Sequence, residues 1–189
     1  MFMKRFSLIA ALFLAGQSFA WAQTTSPKMP VDEITQLITY TDVVEEKGLN
    51  KDTLYNRAHR WFKTFYKNPV DAIKKADPEA RTIDGGYRFQ IQKPDPTAKK
   101  QPAPMVNAGL VNYKITVMCK DGRFKYEIKN INWQQASVYP IEKWMDAKAP
   151  GYDPAFAGYL KQVDDYMKDL IQSLERAIET EPLKKKEDW

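Results

Sequence analysis

The dipeptide Asp121-Gly122 separates two runs, VNYKITVMCK from Val111 and RFKYEIKNINW from Arg123, in which apolar and polar residues alternate. Asp-Gly between alternating runs is among the strongest short-range signals of a β-hairpin, because both central residues of a type I′ turn need φ > 0. With these two residues as the turn, Lys120 lies opposite Arg123, Cys119 opposite Phe124, Val117 opposite Tyr126 and Ile115 opposite Ile128. One face then carries Tyr113, Ile115, Val117, Cys119, Phe124, Tyr126 and Ile128. The other carries Lys114, Thr116, Met118, Lys120, Arg123, Lys125, Glu127 and Lys129. A three-residue loop would slip one strand by a single position and mix the faces, which a sheet with one buried side resists. The hairpin therefore requires a core on one side and leaves a basic surface on the other.

Elements that could build this core flank the hairpin. Residues Ile34 to Glu45, rich in Ile, Thr, Tyr and Val, read as a strand ended near Gly48. Asn50 is placed to cap a helix by accepting a bond from an early backbone N–H. In that helix Leu54, Ala58, Trp61, Phe62 and Phe65 fall on one stripe, with Tyr55 and Tyr66 at its edge and Asn56, Arg60 and Lys63 facing away. Asn68-Pro69 closes it, since the residue before proline avoids the helical region. Val70 to Lys75 reads as a short edge strand, and GGYRFQIQ, from Gly85, as a strand with Tyr87, Phe89 and Ile91 on one side. Four prolines in residues 93–105 mark a mobile loop inserted before the hairpin strands, which begin near Leu110. Pro140 starts a short helical turn. From Pro154 to Glu179, behind a capping Asp153, the residues Phe156, Leu160, Val163, Met167, Leu170, Ile171, Leu174 and Ile178 form one continuous apolar stripe.

The ends read differently. Lys4 and Arg5, a short apolar run from Phe6 to Ala15, and Ala20-Trp21-Ala22 have the layout of a secretory signal peptide over residues 1–22, with cleavage between Ala22 and Gln23. The apolar run is far short of the roughly 20 residues that span a bilayer, so the processed chain is expected not to be an integral membrane protein. No cysteine follows it for lipid attachment. The expected address is the periplasm or the medium. Residues 23–33 form a loose polar leader, 34–179 a single domain, and 180–189 a charged tail. Losing Lys4 and Arg5 takes two charges from the net +5, and what remains is too small to name a polyanionic partner.

Catalytic chemistry finds few candidates. Cys119 is the only cysteine, so no internal disulfide forms, and a thiol among Val and Phe is inert because burial opposes the thiolate. His59, the only histidine, sits at the rim of the first helix's apolar stripe. The acidic pairs Asp32-Glu33, Glu45-Glu46 and Asp164-Asp165 diverge on a strand or helix and make no acid/base dyad. Asp164 faces Lys168 at i+4 as a surface ion pair. One His and one Cys cannot make a dense zinc-ligand set, and Gly85-Gly86 lacks phosphate-loop spacing and reads as the opening of a strand. No serine elbow motif occurs. No metal or other cofactor is expected, and the chain reads as a non-enzyme.

The order strand, helix, adjacent antiparallel strands, long helix has a parallel. MPVDEITQLITYTDVVEEKGLNKDTLYNRAHRWF and GLVNYKITVMCKDGRFKYEIKNI, with YPIEKWMD and the final helix, resemble a bacterial domain family of unknown function described as having a TBP-like fold. The resemblance spans about Pro30 to Glu179. It implies an exported α+β domain, a curved antiparallel β-sheet backed by two helices, and brings no catalytic residues. A shape label does not carry DNA binding with it. The expected function is a cell-envelope binding or assembly module that uses the outer sheet face, with Lys114, Lys120, Arg123, Lys125 and Lys129 as binding residues. Its partner would be an envelope protein, an anionic glycan or a lipid head group, and export disfavours nucleic acid. Two alternatives stay open: a carrier of a small apolar ligand or lipid in a pocket lined by Trp61, Phe62, Phe65, Tyr87 and Phe89, or an enzyme of unrecognised type.

Overall fold

In a computed structural model, which describes residues 26–99, 102–134 and 137–179, the Asp121-Gly122 turn joins the two central strands of a six-stranded sheet. Residues 1–22, read as a signal peptide, and 180–189, read as a charged tail, lie outside the described residues. The elements run β1 (Tyr40–Glu45), α1 (Lys51–Phe65), α2 (Pro69–Ala72), β2 (Ile73–Asp77), β3 (Thr82–Pro94), β4 (Met105–Lys120), β5 (Arg123–Gln134), β6 (Val138–Pro140), a 3₁₀ turn (Ile141–Met145) and α3 (Ala155–Glu179). The sheet is antiparallel, in the order β1-β5-β4-β3-β2, and β6 continues the β1 side of β5. This is the expected α+β architecture. No described helix is long and apolar enough to cross a membrane.

The hairpin register is the one its alternation demands: Lys120 pairs with Arg123, Cys119 with Phe124, Val117 with Tyr126 and Ile115 with Ile128. All seven predicted inner residues are buried. The turn type differs. Only Gly122 has positive φ (75°), and Asp121 does not, so the turn has the requirement of type II rather than type I′. Tertiary contacts explain the choice. Asp121 Oδ1 accepts from the Lys51 amide (2.8 Å), and the Gly122 amide and carbonyl bond to Leu49 (2.8 Å) and Glu46 (2.7 Å), docking the turn on the β1–α1 loop.

Strict alternation also stops at Ile128. The next inner residue is Ile131, three positions on, because Asn130 takes φ 54° and the β4–β5 register shifts there. This is a β-bulge, and asparagine is among the few residues that tolerate a left-handed backbone.

Both long helices lie on the inner face. Phe62 of α1 approaches Gly85 of β3 so closely that a Cβ there would stand 2.5 Å from its ring. Gly85 and Gly86 are therefore not the opening of a strand but lie inside one, at the place where helix and sheet touch. Trp61 Nε1 donates to Ser173 Oγ (3.0 Å), joining α1 to α3. The Asn50 cap forms as predicted, its side chain accepting from Thr53 N (2.8 Å), and Asp153 Oδ1 accepts from Ala155 N (2.8 Å) at the start of α3. At the far end of α3, the buried Arg57 donates to the carbonyls of Ile178 (2.6 Å) and Glu179 (3.0 Å), whose intrahelical partners end there.

Several boundaries move. The first strand begins at Tyr40, not Ile34, because Asp32 Oδ1 accepts from the amides of Ile34 (3.2 Å) and Thr35 (2.7 Å) and holds a turn there. The leader is packed from Met29, which is buried, and Val31 bridges to Ile38. The segment from Val70 divides, with Pro69 opening one helical turn before the edge strand. The Pro-rich segment is the connection of a hairpin, since β3 and β4 stay paired out to Pro94 and Met105.

Candidate functional site

The outer face of the sheet is built by the residues that alternate with the core. At the hairpin tip Lys120 lies opposite Arg123, and Arg123 reaches Glu45 of β1 at 4.0 Å. On the next outward row Lys125 lies between Met118 and the exposed Val43. Then Thr116 lies between Glu127 and Asp84, donating to Asp84 Oδ1 (2.8 Å). Lys114 follows, opposite Lys129 on one side and Gly86 on the other. The last row sets Asn112 between Asn132 and Arg88.

The five predicted cations thus share one face but not one environment. Arg123 is paired with Glu45 and Lys129 with Glu127. Lys114, Lys120 and Lys125 make no ion pair among the described residues. Lys120 and Arg123 stand at the tip, whereas Lys114 lies three rows away at the edge of a depression of about 930 Å³. Its lining runs from Gly85, Gly86, Tyr87 and the flanking Asp84 and Arg88 of β3, through Asn112, Tyr113, Lys114 and Thr116 of β4, to Asn130 and Asn132 of β5, with Lys74 of β2 and Asp71 of α2 at one side. Gly86 contributes no side chain between Asp84 and Arg88, which leaves the outer surface open there.

Arg88, Asn112, Asn130 and Asn132 were not legible as site residues from the hairpin alone. Extending the β4 register into β3 through the Gly-Gly pair could have found Arg88 and Asn112. The bulge at Asn130 depends on tertiary pairing and hid the other two.

The inner face holds the remaining candidates. Cys119 is buried, and burial alone pushes its thiol up to about 12, far from a nucleophile at neutral pH. His59 is half-buried on α1, stacked on Tyr55 at 5.9 Å, and burial followed by the charge of Lys63 holds it below the usual histidine range. Among the described residues no cluster of three or more His, Cys, Asp or Glu is placed to hold a metal. The aromatic residues expected to line an apolar pocket instead pack on one another and on their neighbours. Trp61 stacks on Phe65 (4.8 Å), Tyr66 meets Tyr87 (4.8 Å), and Phe89 stacks on Tyr166 (3.8 Å).

Asp164 is not the surface residue its spacing predicts. It bonds Lys168 Nζ (2.6 Å), but it is only 4% exposed and also accepts from the Tyr40 hydroxyl (3.0 Å). The bond joins α3 to β1, so that each Asp164 oxygen has a donor.

Comparison with known proteins agrees with this geometry. The crystal structure of a TBP-like protein from Parabacteroides distasonis is similar at a TM-score of 0.61 and 16% identity, over 77% of this chain and 95% of that one. The crystal structure of a DUF4468 family protein from Bacteroides ovatus is similar at 0.61 and 21% identity, over 80% and 94%. At such identities the likeness establishes fold alone. No curated protein matches the chain significantly. Residues 40–134, from the start of β1 to the end of β5, match the domain of unknown function DUF4468 with TBP-like fold, and the chain belongs to that family.

Proposed function

We propose that this chain is an exported, non-catalytic binding module of the cell envelope that captures a macromolecule on the outer face of its sheet. One observation carries the reading. Both long helices are packed on the inner face, so the outer face of β3, β4 and β5 is left open with Lys114, Lys120 and Lys125 free of ion pairs among the described residues. An outer face in water is ordinary for an antiparallel sheet. A depression with the uncompensated Lys114 at its edge is less so. The sealed thiol and the absence of a dyad geometry at Asp164 support a binding role over catalysis.

The test is capture from an envelope fraction by the mature chain, Gln23 to Trp189. Reversing Lys120, Arg123 and Lys125 together to glutamate abolishes capture, while Cys119→Ser and His59→Ala retain it. Equal capture by the triple variant would overturn the use of this face. Export is tested separately, by N-terminal sequencing of the periplasmic or secreted protein, which begins at Gln23.

A further inference from the structure

We infer that the depression around Gly86 is a seat for an acidic saccharide, with the sugar's anionic group at Lys114 and Arg88 and its hydroxyls at the asparagines; this deepens the outer-face reading and rests on it. Charge comes first. Lys114 is directly opposite Lys129 across the β4–β5 pair, an arrangement that destabilises a sheet unless something neutralises it. Glu127 serves Lys129. Lys114 has no such partner among the described residues, and Arg88, two residues beyond its β3 neighbour Gly86, stands on the diagonal within reach of the same anion. An arginine and a lysine bordering one depression match a carboxylate or sulfate.

The second observation separates a saccharide from other anions. Asn112 and Asn132 face each other across the strand pair next to the cations, and Asn130 adjoins them. A carboxamide both donates and accepts, which suits hydroxyl groups and is wasted on phosphate oxygens that only accept. Asp84 and Asp71 also border the depression. They accept from hydroxyls, and they repel a densely charged polyanion. None of the large exposed apolar residues is among the lining. The volume of about 930 Å³ is at the upper end of the roughly 300–1,000 Å³ of small-molecule sites.

The experiment is calorimetric titration of the mature chain with oligosaccharides bearing uronic acid, sialic acid or sulfate, each beside its neutral parent, with inorganic phosphate as competitor. At least one acidic sugar binds at least ten-fold more tightly than its neutral parent. Arg88→Gln and Lys114→Gln each weaken it ten-fold or more, and Asn112→Asp abolishes it by placing a carboxylate beside the anion. Lys93→Glu, at the far end of β3 and outside the lining, leaves it unchanged. All these positions are on the sheet surface, and an unaltered unfolding midpoint certifies each variant. The carboxylated and sulfated arms decide which anion is preferred, and either supports the assignment. No binding by any acidic sugar, equal binding of the neutral parents, or complete displacement by millimolar phosphate overturns it. If the sugars fail while the Lys120/Arg123/Lys125 reversal still abolishes envelope capture, this assignment falls and the broader reading stands; if capture is also indifferent, both fall.

Discussion

Asp164 shows how one residue changes meaning between spacing and structure. At i−4 from Lys168 it satisfies the rule for a surface pair, which is worth only about 0.2–0.5 kcal/mol. In the fold it is sealed against Tyr40, whose hydroxyl ionisation is driven upward by burial and then by the Asp164 charge. Tyr40→Phe is expected to lower stability by about 1–3 kcal/mol in urea denaturation, because the carboxylate keeps its burial and loses a donor. Lys168→Met costs less, since Lys168 is a mostly exposed side chain whose loss lets water reach the outer oxygen. Cys119 makes a second prediction at this scale. With 5% exposure and a thiol raised to about 12, it reacts with a maleimide at pH 7 at a small fraction of the rate seen in urea. Rapid labelling of the native chain would contradict the burial of the whole inner face.

At the scale of elements, stability rests on two contacts that span long stretches of chain. Phe62 is buried against Gly85, and any Cβ at Gly85 would also stand 3.0 Å from the Ala72 carbonyl. For the ring to retreat α1 must shift, and for the carbonyl to retreat α2 must shift. Gly85→Ala is therefore expected to cost about 1–3 kcal/mol by overpacking, measured as a lower urea midpoint. The second contact is Arg57, whose guanidinium ties α1 to the last turn of α3. Arg57→Met removes a charged donor from the two carbonyls, with a cost of about 1.5–3 kcal/mol. Hydrogen exchange would show that loss concentrated in residues 174–179. The helices, the hairpin and their apolar stripes were legible in advance, because periodicity of 3.6 or 2 is a local property. The Asn130 bulge and the Arg57 cap were not, because each answers a partner more than forty residues away or a register that only pairing creates.

The whole molecule has an alkaline weakness. Burial raises Cys119 to about 12 and, with Glu175 and Asp42 adding to it, raises Tyr126 to about 12; Tyr40, Tyr66 and Tyr113 move further in the same direction. Unfolding returns the thiol and the phenols to ordinary values near 9.0 and 10.0. As pH rises the unfolded chain gives up these protons first, so it binds fewer than the native state and the stability gradient with pH is negative. The stability tied to these groups is complete below about pH 9 and is lost as pH climbs from there through about 12. Urea midpoints at pH 7, 9 and 10.5 should show a plateau and then a fall. A rise above pH 9 would mean that the buried tyrosines are not neutral in the folded protein. The hydroxyl bonds from Tyr113 to Tyr66 (3.0 Å) and between Tyr113 and Tyr166 (3.3 Å) place that sensitivity between helices and sheet.

Alternation by itself determined which side chains of the hairpin enter the core, since period-two geometry admits only one register that keeps Ile115, Val117 and Phe124 together. It also determined that Cys119 would be sealed and that the cations from Lys114 to Lys129 would share the opposite face. Only the tertiary structure decided which of those cations find carboxylates, because Glu45 and Arg123 meet through strands separated by most of the domain. It alone joined Arg88, Lys114 and Asn132 around Gly86, since a site made of three strands exists only once their registers are set against one another.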